Sequence, residues 1–258
     1  VTGSSVLGVG SVESLRKDSA AVWANLLPGD PGAAAGLSPV DLAAVYDMLF
    51  VPDSALATRL RTLGHERTTY LPFACDPSVH RPMQSRDQFR ANVVFVGGAT
   101  AYREAMLGEL VEFGLAVWGP GWRRTGLRDY CRGETLSMAD YVRAYAGASV
   151  AINLHRESPS SSREVGANQR LFEVAAIGVP QVTGERGDLG RHFEPGREVL
   201  VYQDALELRA IVREALQSEG DVQAIADAAR RRALREHTHM HRMRALLDAT
   251  GAGGPAAG

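Results

Sequence analysis

VVFVGGATAYREAMLGELVEFGLAVWG, Val93 to Gly119, decides how this chain folds. Its first five residues form an apolar run closed by glycine, the length of a buried strand. Tyr102 to Phe113 reads as a helix, and LAVWG, Leu115 to Gly119, is a second apolar run of strand length. Strand, helix, strand in this form belongs to a parallel sheet covered by helices on both faces.

The pattern continues outward in both directions. Beyond Gly119 a Gly- and Arg-rich loop reaches Gly133. Ser137 with Asp140 then opens a helix to about Ala146 as an acidic variant of a capping box. SVAINL, Ser149 to Leu154, is the third strand, and the helix Gln169 to Ile177 follows with Gly178 as its left-handed stop. Short strands are expected at Pro180–Thr183 and Val199–Tyr202. Asp204 with Glu207 starts a helix, and two more helical runs reach Asp248. Ahead of Val93, Val1–Val9 and Ala20–Leu27 are expected strands around a short helix at Val12–Arg16. Ser38, Pro39 and Asp41 supply cap, first-turn proline and acidic third position for a helix to Phe50. Ser54 caps a further helix that Gly64 ends, and Pro72, Pro77 and Pro82 mark an extended crossover. The expected division is 1–88 for an N-terminal domain and crossover, 89–249 for a C-terminal domain, and 250–258 for a flexible tail.

With 258 residues, 45% hydrophobic, 22% charged and a net charge of -2, the composition excludes collagen-like, disulfide-scaffold and disordered chains. It gives no whole-molecule reason to bind nucleic acid or an acidic membrane, so any anion site is local. Lys17 is the sole lysine, which leaves 27 of the 28 basic residues as arginine. Phosphate contacts therefore fall to guanidinium forks or backbone N–H groups. Cys75 and Cys131 have no metal spacing and are too few for a disulfide framework. No apolar run reaches the roughly 18 residues of a membrane span, and the first residues lack the basic start of a secretion signal. A cytoplasmic location is the expectation.

The strongest local signal is NQRLFEVAAIGVP, Asn168 to Pro180. This helix starts after a strand and a long loop, so its N-terminal N–H groups and positive dipole end face the crevice at the strand C-termini, where phosphates bind in such sheets. Arg170 adds a fork, and Glu173, one turn in, is placed to accept from a pair of sugar hydroxyls. Without its surroundings the same pair would be a solvent-facing Glu and Arg on an amphipathic helix.

This segment resembles the helix of GT-B glycosyltransferases whose glutamate holds the ribose of a nucleotide-sugar donor. Three further blocks resemble the CgeB-like (spore-maturation type) glycosyltransferases: YDMLFVPDSALATRLRTLGHERTTYLPFACDPSVHRP, VVFVGGATAYREAMLGEL, and AINLHR with the later REHTHMHR. Together they run from about Trp23 to Leu247 in the family's order. The resemblance implies an α/β, GT-B-like fold, with a complete Rossmann-like C-terminal donor domain preceded by an abbreviated Rossmann-like N-terminal domain. It implies that Gly97 and Gly98 turn close to the donor diphosphate and that Arg103 is a phosphate ligand, an exposed helix arginine being the alternative. Gly119, Pro120, Gly121 and Trp122 end the second strand, with Trp122 either walling the base pocket or serving as a structural aromatic. Asn153, His155 and Arg156 stand at the mouth of the third strand, beside Asn168, Arg170 and Glu173.

The chain departs from the broader family at one point. Many retaining members carry two glutamates separated by seven residues, but Val165 stands eight positions before Glu173 and Glu164 is one residue off. The polar loop ESPSSSREVGAN, Glu157 to Asn168, reads as a mobile lid or a plain surface loop. The remaining candidates are weaker. GVGSVES, Gly8 to Ser14, has Glu13 where a dinucleotide fingerprint has its third glycine. His237, His239 and His241 lack a completing ligand set, and the run Arg230, Arg231, Arg232 and Arg235 reads as a solvated helix face. The absence of a D-x-D motif argues against metal-dependent GT-A transferases.

The expectation is a glycosyltransferase using a nucleotide-diphosphate sugar, with no cofactor and no essential metal, of retaining stereochemistry by analogy, and with an unknown acceptor and catalytic base. The short N-terminal half implies one of three things: a shortened natural form, a fragment, or a homo-oligomer or partner chain that completes the acceptor cleft. The alternative is a nucleotide-sugar-binding or scaffold protein that has lost catalysis and acts with a partner.

Overall fold

A computed structural model describes residues 9–17, 19–27, 45–156 and 165–251. The chain divides into two compact units: Val1–Phe73 with Glu164–Ala167 and Met240–Gly258, and Ala74–Arg163 with Asn168–His239. Residues 74–88, the expected crossover, belong to the second unit, and most of the last helix belongs to the first.

The second unit is built on a six-stranded, wholly parallel sheet. Its strands are β4 (Ala91–Val96), β5 (Leu115–Trp118), β6 (Cys131–Gly133), β7 (Ala148–Asn153), β8 (Gln181–Gly184) and β9 (Leu200–Tyr202), in the order β6-β5-β4-β7-β8-β9. Alternate residues of each strand enter opposite cores, as the two-residue period requires. Val93, Phe95, Val117, Val150 and Ile152 pack against Leu107 and Leu110 of α3 (Ala101–Gly108) and its following turn, and against Leu208 and Val212 of α6 (Ala205–Gln217). On the other face Val94, Ala116 and Ala151 pack against Val142 and Tyr145 of α4 (Met138–Ala146) and against Val174 and Ile177 of α5 (Gln169–Ile177). Apolar strands buried on both faces are what the sequence of Val93 to Gly119 requires.

The helices begin where short polar side chains can satisfy free N–H groups. Thr100 accepts from Arg103 N, Ser137 from Asp140 N, Asn168 from Leu171 N and Asp204 from Glu207 N. Each such cap contributes about 1 kcal/mol. The long α7 (Glu219–Glu236) follows α6 directly and packs on α5.

In the first unit, α1 (Val9–Arg16) precedes three parallel strands in sequential order, β1 (Ala24–Leu26), β2 (Met48–Val51) and β3 (Thr68–Tyr70). The helix α2 (Ser54–Thr62) covers one face through Leu56, Ala57 and Leu60 against Leu27, Leu49 and Val51. Asp53 is its cap, one residue before the expected Ser54. One Asp53 oxygen, Oδ1, accepts from Leu56 N at 2.7 Å, and Oδ2 accepts from Val165 N and Gly166 N at 2.6 and 2.7 Å. The last helix, α8 (His239–Thr250), carries Arg242, whose guanidinium donates to the carbonyls of Pro72 and Phe73.

Several sequence expectations are corrected. The helix expected to run from Ser38 to Phe50 has ended by Tyr46, because Met48–Val51 is a strand buried between β1 and β3. The helix expected to reach Phe113 stops at Gly108 and gives way to a 3-10 turn at Val111–Phe113. The loop through Gly133 closes with the short edge strand β6. Of the strand expected over Val1–Val9, only Val9 is described, and it starts α1. The rest of that segment, Ser38, Pro39 and Asp41, residues 157–164 of the Glu157–Asn168 loop and residues 252–258 of the tail lie outside the described residues.

Candidate functional site

The chain leaves β4 toward β5 and β6 on one side, then crosses to β7 on the other, so β4 and β7 are neighbours whose connections depart in opposite directions. Such a switch point leaves a crevice outside the strand C-termini. Gly97 and Gly98 follow β4 there, and Leu154, His155 and Arg156 follow β7.

The turn after β4 is crowded at Gly97, whereas an added Cβ on Gly98 would meet only Pro120 at 3.5 Å. A Cβ on Gly97 would stand 2.9 Å from the Phe95 ring and 3.0 Å from Arg170 Nη2. Gly119, at the end of β5 with φ +133°, faces it so closely that a Cβ would stand 2.3 Å from the Gly97 carbonyl oxygen. No L side chain is accommodated at that φ without strain. The same carbonyl accepts a 2.7 Å hydrogen bond from Trp122 Nε1. Trp122 is fully buried, edge-on to Phe95 at 5.9 Å, so it is a pillar under the turn and not a wall of a base pocket. Pro120 is exposed, and its carbonyl accepts from Ala99 N at 2.9 Å, tying the ends of β4 and β5 together.

Two arginines meet beneath this turn. Arg103 is buried and donates to three carbonyls, with Nε to His155 at 2.9 Å, Nη1 to Gly98 at 2.7 Å and Nη2 to Leu154 at 3.0 Å. It therefore clamps the loops after β4 and β7 together, in place of the exposed or phosphate-facing fork expected from sequence. Arg170 donates Nη1 to Asn153 Oδ1 at 3.0 Å and to Leu154 O at 3.2 Å, while its Nε is buried without a hydrogen bond. Both guanidinium groups lie over the Phe95 ring, at 5.2 and 5.1 Å. Burial, then the neighbouring charges of Arg170 and Arg156, push the Arg103 guanidinium down to about 10.

Asn153, the last residue of β7, is almost wholly buried. Its Oδ1 also accepts from Asn168 Nδ2 at 2.7 Å, and its own Nδ2 is buried without a hydrogen bond. A buried amide or guanidinium N–H with no acceptor is costly. Two such donors, Asn153 Nδ2 and Arg170 Nε, stand beside a turn of glycines. Every hydrogen bond that Arg103 and Arg170 make among the described residues goes to a neutral oxygen. Excess positive charge, unused donors and close backbone approach fit an anion. His155 is half-buried and Arg156 exposed, each contributing a carbonyl acceptor within the same loop.

Glu173 lies one turn into α5 and is buried, not solvent-facing. Tyr141 of α4 donates its hydroxyl to Oε2, and Gln169, one turn earlier on α5, donates Nε2 to Oε1 at 2.7 Å. His80 Nε2 stands 3.5 Å from the same Oε1. Each carboxylate oxygen has a second acceptor position beyond these bonds. Burial, foremost, raises the Tyr141 hydroxyl well above the usual phenol range, so it stays a donor. Sequence reasoning missed Tyr141, Gln169 and His80. Gln169 was legible from its four-residue spacing to Glu173 on a helix; the other two come from distant segments.

The weaker candidates resolve otherwise. Val9–Arg16 is helix, and Gly8 with the residues before it lies outside the described residues, so what speaks against a dinucleotide fingerprint is still Glu13 in place of the third glycine. His237 is buried against Phe172, Phe193 and His192, and among the described residues no group of three His, Cys, Asp or Glu is placed to hold a metal. The basic run on α7 is only partly a solvated face: Arg230 donates to Ala176 O and Arg232 pairs with Glu198 at 3.1 Å. Among the described residues no helix is long and apolar enough to cross a membrane.

A family model described as glycosyl transferase-like matches residues 102–248, more than half of the chain. No curated protein sequence matches. Among solved structures, sucrose-phosphate synthase from Thermosynechococcus elongatus superposes with a TM-score of 0.70 at 14% identity, covering 95% of this chain and 72% of that one. HepE from Anabaena, solved in complex with UDP, gives 0.68 at 13% identity over 89% and 72%. TarM gives 0.61 at 10% identity over 88% of this chain and 50% of that one. These likenesses establish the GT-B fold.

Proposed function

The chain belongs to the glycosyl transferase-like family, and from that premise we propose how it moves a sugar from a nucleotide-diphosphate donor to an acceptor. One observation carries the reading: at the switch point of a parallel sheet, the Gly97–Gly98 turn meets Arg170 and Asn153, whose unused buried donors have no acceptor among the described residues. A donor diphosphate against the glycine turn supplies the negative charge that the two guanidinium groups over Phe95 lack. Glu173, held by Tyr141 and Gln169, takes the ribose hydroxyls with its remaining acceptor positions. That HepE was solved with UDP, and in a second structure with UDP and glucose, supports a nucleotide in this crevice.

Transfer requires the bond from the anomeric carbon to the diphosphate oxygen to break, with the electron pair leaving on the diphosphate, while an acceptor oxygen bonds to that carbon. Guanidinium groups fixed in advance stabilise the departing charge, and they do so more strongly in a crevice than in water. Arg170, whose described hydrogen bonds come from Nη1 alone, has more donors to spare than Arg103, which holds the backbone through three of its five and raises the local positive potential. In this reading the reaction needs no metal, retains configuration as in the resembling family, and takes its acceptor and base from groups outside the donor crevice.

Thermal-shift measurement with UDP-, GDP- and dTDP-sugars, followed by a donor-hydrolysis assay, tests it. At least one nucleotide is expected to raise the melting temperature, and its sugar to be released. If no nucleotide shifts the melt, the reading falls. A shift without release or transfer favours the second reading, a donor-binding protein without catalysis. That reading has one observation in its favour: Val165 stands where the resembling retaining enzymes carry their first glutamate, and its N–H is held by Asp53.

A further inference from the structure

We infer that His80 is a positioning residue for Glu173, and that it sets the preference for a ribose over a deoxyribose nucleotide. The inference rests on the donor-site reading above and adds to it a residue from outside the sheet and α5.

His80 belongs to the self-locked turn Asp76–His80 that enters the second unit. Asp76 Oδ1 accepts from Ser78 N at 2.9 Å and from Ser78 Oγ at 2.7 Å, and the Asp76 carbonyl accepts from His80 N at 2.7 Å. The Asp76 N–H in turn donates to His80 Nδ1 at 3.0 Å. A ring nitrogen that accepts carries no proton, so the proton of the neutral imidazole is on Nε2. That nitrogen is buried, has no hydrogen bond, and stands 3.5 Å from Glu173 Oε1. The His80 side chain is 5% exposed, so water does not substitute for the carboxylate. Tyr141 closes the arrangement, edge-on to the His80 ring at 6.4 Å and bonded to Glu173 Oε2.

Glu173 is thereby approached from three elements, by Gln169 of its own helix, Tyr141 of α4 and His80 of the turn. Gln169 is exposed and would have to break only its bond to Glu173 to change rotamer, whereas His80 cannot move without breaking the turn that fixes its tautomer. The 3.5 Å separation is longer than a made hydrogen bond. It leaves Oε1 directed but not saturated, and a ribose hydroxyl can share it with the imidazole N–H. Without His80 the carboxylate would rotate about its last bond and lose the orientation that distinguishes two neighbouring hydroxyls from one.

The test compares affinities of UDP, GDP and ADP with those of their 2′-deoxy forms, by calorimetry, for wild type, His80→Phe, His80→Gln and Glu173→Gln. His80→Phe fills the space without an N–H, and His80→Gln keeps an N–H donor. The ribose-to-deoxyribose ratio is expected to fall about tenfold in His80→Phe, the size of one hydrogen bond to a charged group. It is expected to fall at least as far in Glu173→Gln and to return most of the way in His80→Gln. Should His80→Phe fail to fold, the ratio in His80→Gln against His80→Ala decides the same point. An unchanged ratio in the variants lacking the N–H overturns the inference. If wild type shows no ribose preference, or Glu173→Gln does not reduce it, the ribose contact of Glu173 fails and the inference with it. If the Glu173 effect is present and the His80 effect absent, only the inference fails.

Discussion

Trp122 Nε1 points at the Gly97 carbonyl from 2.7 Å, so the indole of one strand's following turn supports the backbone of another. Replacing it with phenylalanine leaves that carbonyl without its donor and a space beside Phe95. Trp122→Phe is expected to lower stability by about 1–3 kcal/mol in urea unfolding while leaving the relative affinities for uracil, guanine and adenine nucleotides unchanged. A change in base preference would return Trp122 to the role of a base-pocket wall.

Gly119→Ala tests the contact between the two strand ends. The new Cβ would stand 2.3 Å from the Gly97 oxygen at a φ of +133°. A cost of about 2–4 kcal/mol and loss of nucleotide binding are expected. Gly190, whose added Cβ meets nothing within 4 Å, provides the control: Gly190→Ala is expected to stay within about 0.5 kcal/mol of wild type.

Arg103 and Arg170 separate by what they touch. Arg103→Gln removes donors from three buried loop carbonyls and is expected to lower the melting temperature markedly in the absence of nucleotide. Arg170→Gln is expected to fold, and to weaken a nucleoside diphosphate about tenfold or more relative to the corresponding nucleoside. The affinity of wild type is also expected to fall more steeply with salt than that of Arg170→Gln.

His80 predicts a pH dependence of stability. Burial is the chief cause that lowers its pKa below the usual 6.5, against opposing attraction from Glu173 and Asp76, with His239 adding to the lowering. The unfolded chain therefore takes up a proton near pH 6.5 that the folded chain refuses until a lower pH. Stability is full above about 6.5, declines as the pH falls through it, and levels off below the folded-state value. The fall in melting temperature between about pH 7.5 and 5.5 is expected to be smaller in His80→Gln than in wild type.

How much of this was legible follows the range of the interactions. Ser137 with Asp140, Asn168 with Gly178, and Asp204 with Glu207 mark their helices almost to the residue, because caps act within one turn. The strand Met48–Val51 reads as the end of a helix because a run of four apolar residues carries no period of its own, and its pairing partners lie about 20 residues away. The three residues of β6, Cys-Arg-Gly, form no apolar run at all and are a strand only through their pairing with β5. The strand-loop-helix order brings Gly97, Asn153 and Arg170 to one end of the sheet, but the direction of a side chain is not encoded there. Arg103 turns inward because the Gly98, Leu154 and His155 carbonyls need donors, and Trp122 turns inward because Gly97 needs one. His80 goes unnoticed because the carboxylate it faces is contributed by a helix much later in the chain.

The two guanidinium groups over Phe95 have a consequence for the life of the chain itself. Like charges held together over one ring oppose folding until an anion joins them, and only the folded chain brings them together. Ligand at about a hundredfold excess over its Kd adds about 2.7 kcal/mol to the folded state by mass action. Where proteases remove whatever opens, abundance follows the open fraction. On the proposed function, a sugar nucleotide seated over these two groups would therefore slow proteolysis of the folded chain in proportion to its occupancy.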